Sequence, residues 1–148
     1  MDKRNTGAWI AGGIALGALL LANKLFGADT VEPYPMPVDP GTGQPMRPTL
    51  SESQVRLIVD RIFGAIYGDG SFWSGSTAED EQAVVDALAV PQNDADVVAL
   101  INAWGVRGGR WSTAGDLTLP ATVREYLGAS DIATINAGFR ARGISYTF

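Results

Sequence analysis

The chain has 148 residues, a net charge of −5, no cysteine and no histidine. These absences exclude a disulfide framework, thiolate and Ser-His nucleophile systems, the commonest general base and the usual zinc sites. Asp2, Asp29, Glu32 and Asp39 balance Lys3, Arg4, Lys24 and Arg47, so the surplus acid lies after Leu50, and an acidic domain is a poor partner for nucleic acid.

Residues 1–7 form a tail carrying Lys3 and Arg4. Residues 8–26 read AWIAGGIALGALLLANKLF, with no charged or strongly polar side chain from Ala8 to Ala22. A helix of this length, at about 1.5 Å per residue, reaches about 28 Å, close to the roughly 30 Å of bilayer hydrocarbon. The stretch predicts a single transmembrane helix. Trp9 is placed as an interfacial anchor, Leu20 lies in the apolar run, and Lys24 snorkels from the last turn. Gly13 and Gly17 form a GxxxG face that lets a second helix approach closely, which makes self-association through the span one reading; the other is that small residues are common in membrane helices. The basic residues before the span place the amino terminus inside and the long carboxyl part outside.

Two other readings compete. A cleaved signal peptide suits Lys3 and Arg4, but a cut after Ala28 or Ala22 puts Phe26 or Leu20 where a small residue belongs. A buried helix of a soluble core would need more surrounding chain than remains.

Residues 27–48 contain Pro33, Pro35, Pro37, Pro40, Pro45 and Pro48. Residues before proline avoid the helical region, so the span cannot continue here. EPYPMPVDP favours extended polyproline II, which makes the stretch a spacer; a ligand for a proline-reading groove is the alternative.

Residues 49–148 predict an all-α bundle of about five short helices. The first runs from about Leu50 to Tyr67, with Thr49 and Glu52 at capping-box spacing and Val55, Ile58, Val59, Ile62, Phe63 and Ile66 on one face. A second is capped at Ser76 or Thr77 and buries Val84, Val85 and Leu88. Asn93 caps a third, with Val97, Val98, Leu100, Ile101 and Trp104 inward and Gly105 past its end. Thr118 and Pro120 start a fourth bearing Val123, Tyr126 and Leu127. Ser130 caps a fifth carrying Ile132, Ile135 and Phe139, and ISYTF closes the chain as a packed tail. No segment alternates convincingly enough for a sheet.

The stretch from Gly75 to Arg142 resembles an annexin-type helical repeat of bacterial or phage kind. GSTAEDEQAVVDAL opens a helix, a second ends NAWGVR, a third ends REYLGASD, and a short helix follows. The resemblance implies a compact helical fold and, in calcium-binding members, a glycine loop with a distant carboxylate. Trp73 stands where that loop's first glycine would be, and Asp116 lies at the carboxylate's remove.

Glu79, Asp80 and Glu81 suit the positive end of a helix dipole better than a glycosidase pair, since consecutive helical positions do not face each other. Phe72, Trp73 and Trp111 sit in predicted loops; if these lie at one end they form a partner-binding surface, and filling a small core is the favoured alternative. No catalytic residue, metal site or cofactor is expected. In its organisation the chain is similar to minor membrane proteins of lipid-containing phages. That resemblance implies a structural protein linking an internal membrane to capsid proteins. An envelope-anchored module binding lipid or calcium is the first alternative, and a cell-wall glycosidase the second.

Overall fold

The structure is a computed structural model, and it describes residues 32–68, 80–108 and 114–148. The expected transmembrane helix over 8–26 lies outside the described residues. Among those described, no helix is long and apolar enough to cross a membrane.

Five helices and one pair of very short strands make up the described part. In chain order they are α1 (Glu52–Tyr67), α2 (Glu81–Leu88), α3 (Asp94–Trp104), β1 (Val106–Arg107), β2 (Leu117–Thr118), α4 (Leu119–Tyr126) and α5 (Ala129–Ala141). The all-α expectation holds for this part of the chain. α1 carries a capping box, but two residues later than expected: Ser51 is the N-cap and Gln54 reaches back to it. Thr49 is unavailable because both its backbone N–H and its hydroxyl donate to Asp96. Gly68 ends α1 at a φ of 71°, a conformation glycine adopts without a Cβ clash.

α2 starts at Asp80, whose side chain accepts from the Ala83 backbone at 2.9 Å, rather than at Ser76 or Thr77, which lie outside the described residues. The Asp80 N–H in turn donates to the carbonyl of Ala65 in α1, tying the two helices at that point. α3 is capped by Asn93 and closed by Gly105 at a φ of 64°, both as expected. α4 has Pro120 in its first turn, where the missing N–H leaves no helical bond unmade. α5 starts from Gly128, two residues before the expected Ser130 cap. Leu127, buried in an extended conformation, ends α4 and brings the chain straight into the next turn.

The antiparallel strand pair was not expected from the sequence. Val106 lies opposite Thr118 and Arg107 opposite Leu117. Two residues per strand are too few to show alternation; tertiary bonds hold them instead. The Trp104 indole N–H donates to the Leu117 carbonyl at 2.9 Å. The Arg107 guanidinium donates to the carbonyls of Ala103 and Trp104, capping α3, and lies over the rings of Trp104 and Phe63 at 5.3 and 5.9 Å.

The core is drawn from all five helices. Ile62, Leu88, Leu100, Trp104, Val123 and Phe139 are its largest fully enclosed apolar side chains apart from Leu119 and a few valines. The carboxyl tail completes it: Ile144 is buried, and Phe148 packs on Phe139 with ring centroids 5.8 Å apart.

Candidate interaction surface

α3 is apolar along most of its length, yet it carries Asn93, Asp94, Asp96 and Asn102 at its ends. Each of the four side chains takes hold of backbone from a non-helical segment. Asp96, fully buried, accepts from the N–H groups of Thr49 (2.6 Å), Leu50 (3.0 Å) and Gln92 (2.9 Å) and from the Thr49 hydroxyl (2.7 Å). Burial alone would raise its pKa. The bonds from Gln92, Thr49 and Leu50 outweigh it and hold the carboxyl below the ordinary carboxylate range. Position in the first turn of α3 adds the favourable end of the helix dipole. Asn93 caps α3 through its oxygen and donates from its amide nitrogen to the Arg47 carbonyl at 3.1 Å.

At the other end of α3, the Asn102 side chain mimics a strand edge. Its oxygen accepts from the Tyr34 N–H at 2.7 Å, and its nitrogen donates to the Tyr34 carbonyl at 3.0 Å. Asp94 does the same for the carboxyl tail, accepting from the Ser145 N–H, the Ser145 hydroxyl and the Tyr146 N–H. Burial raises the phenol pKa of Tyr146, with a smaller push from the charge of Tyr34.

The described part of the proline-rich stretch therefore lies against the helices as a strap, and one compact unit runs from Pro33 to Phe148. Between its fastenings the strap folds back in a narrow turn. The Met46 N–H donates to the Pro37 carbonyl and the Asp39 N–H to the Gln44 carbonyl, both at 2.8 Å. The Asp39 side chain accepts from Gly41 at 2.7 Å, and Gly43 closes the turn at a φ of 67°. Proline stiffens this segment, and the asparagine and aspartate side chains of α3 supply the bonds that proline nitrogens cannot.

Three apolar side chains of the strap remain in solvent: Tyr34, Met36 and Val38, at 41%, 38% and 56% exposure. Pro33 before them and Pro35 between them are exposed as well. No charge lies between Glu32 and Asp39.

No group of three or more His, Cys, Asp or Glu side chains is placed to hold a metal among the described residues. The dent bordered by Ala65, Ile66, Asp80, Val84, Tyr126 and Leu127 has no interior volume for a water molecule. Glu81 sits in the first turn of α2. Asp116 sits beside Gly108, where a Cβ would come within 2.8 Å of its Oδ1.

Trp9, Gly13, Gly17, Leu20 and Lys24, read as the membrane anchor, lie outside the described residues. So do Phe72, Trp73 and Trp111, read as the partner surface, and Gly75, Thr77 and Glu79 of the annexin-like stretch. Trp104, the one described tryptophan, is a core residue at 1% exposure, as its helical spacing predicted. Sequence reasoning missed Asp96, Asp94 and Asn102. A signal was present for Asp96: it lies four residues before the inward Leu100, hence on the buried side of α3. No protein-family model matches the chain, and comparison with curated proteins and with solved structures finds no match.

Proposed function

We propose that this chain is a membrane-anchored interaction protein without catalysis of its own, with an amino-terminal span and a small acidic helical head. The observation that carries this reading is the uncharged run from Ala8 to Ala22, flanked by Trp9 and Lys24. The composition supports it: without His or Cys, the head lacks the residues on which most hydrolytic and metal chemistry is built. The head is stapled at both of its ends to one helix, which suits a rigid body that passes force or position between two partners. Lipid is one partner. The other is a protein met through Phe72, Trp73 and Trp111, residue types that dominate binding energy at interfaces. Pairing through Gly13 and Gly17 adds self-association within the membrane.

A lipid-containing phage particle gives such a protein a defined place, as a minor virion component joining the internal membrane to the capsid. Assembling the particle without this chain then uncouples shell from membrane; an intact, stable particle overturns that placement. Calorimetry with calcium separates this from the annexin-like alternative, since the linker reading gives no heat of binding.

A further inference from the structure

We infer that the exposed side of the strap, Tyr34, Met36 and Val38, rests on the headgroup–acyl boundary of the bilayer; the inference builds on the membrane-anchored reading above. Three observations favour a lipid surface as the occupant. The first is chain length. Only residues 27–32 separate the expected span from Pro33, and six residues reach at most about 21 Å. The strap is thus the described segment with the least freedom to leave the membrane surface.

The second is the backbone. From 33 to 37 the prolines have no N–H, and the Tyr34 N–H and carbonyl are both taken by Asn102. Over those five positions Met36 carries the one N–H that Asn102 does not bond, and the carbonyls of Pro33, Pro35 and Met36 are left to the hydrated headgroup layer, which can bond them. The same lack of donors makes the strap a poor edge for a protein partner that adds a strand. The third is side-chain chemistry. The run from Pro33 to Val38 carries no charge, and tyrosine is enriched at membrane interfaces. Glu32 and Asp39 bracket the run, which fits zwitterionic headgroups and disfavours anionic ones.

The test uses the full chain reconstituted in phosphatidylcholine vesicles. The chain has no cysteine, so M36C and V38C each give one labelling site for a polarity-sensitive fluorophore. L57C serves as the control, because Leu57 on α1 is 70% exposed and far from the strap in sequence. With lipids brominated in their acyl chains, the labels at 36 and 38 lose fluorescence and the label at 57 does not. Flotation of the unlabelled chain with the same vesicles is measured first. A chain that floats but shows no quenching at 36 and 38 overturns the strap contact and leaves the anchor standing. A chain that does not float overturns both.

Discussion

Asp96 holds a buried negative charge whose partners are backbone N–H groups, a hydroxyl and a helix terminus. Such charges persist when every oxygen is satisfied and fail when one donor is removed. In Asp96→Asn the amide nitrogen faces the Gln92 N–H, donor against donor, while the Thr49 hydroxyl can turn to accept. Stability is expected to fall by about 2–3 kcal/mol, read as a lower urea midpoint at unchanged slope. The pH dependence has a definite sign. The folded pKa is depressed, so the carboxylate contributes stability above its unfolded value of about 3.9, and that contribution is lost as pH falls through the lower folded value. Acid titration below about pH 4 should loosen the Thr49–Asp96 fastening in the native chain, and Asp96→Asn should flatten that step. An unchanged acid transition in the variant would assign the step to other carboxylates.

Among the elements, α3 does two jobs. Its apolar face fills the core, and its polar ends grip the strap and the tail. Asn102→Ala removes two bonds at an exposed site, so amide exchange at Tyr34 is expected to speed up about five- to tenfold, as a loss of roughly 1 kcal/mol implies. The helical melting transition stays where it was. The tail behaves differently, because Ile144 is only 2% exposed and belongs to the core. Ile144→Ala is expected to lower stability by about 2–4 kcal/mol in equilibrium unfolding. These contrasts also mark what the sequence could and could not reveal. Helix type and the inward faces were legible because Val97, Leu100, Ile101 and Trp104, and likewise Ile58, Val59 and Ile62, repeat at helical spacing. Caps slipped by two residues at α1 and α5 and by three or four at α2; at α1 a competing bond claimed the expected side chain, Thr49 being held by Asp96. The strand pair and the strap's fastenings were not legible. Trp104, Asp94 and Asn102 bond across separations of 13 to 68 residues and Arg107 bonds the backbone of the helix end before it, and neither leaves a periodic trace.

At the scale of the whole molecule the claim is that one apolar run sets where the head works. A proline-rich segment that reads as a long spacer in sequence is, from Pro33 onward, part of the compact unit that ends at Phe148. The account predicts that a basic residue in the middle of the run, Gly17→Arg, opposes membrane insertion by about 3 kcal/mol while leaving the head's helical circular dichroism unchanged.

The most direct measurement is alkaline carbonate extraction of membranes carrying the full chain, with Gly17→Arg run in parallel. The native chain should stay in the membrane pellet and release only with detergent, and the variant should move in part to the supernatant. Complete release of the native chain by carbonate alone would contradict the account at its base.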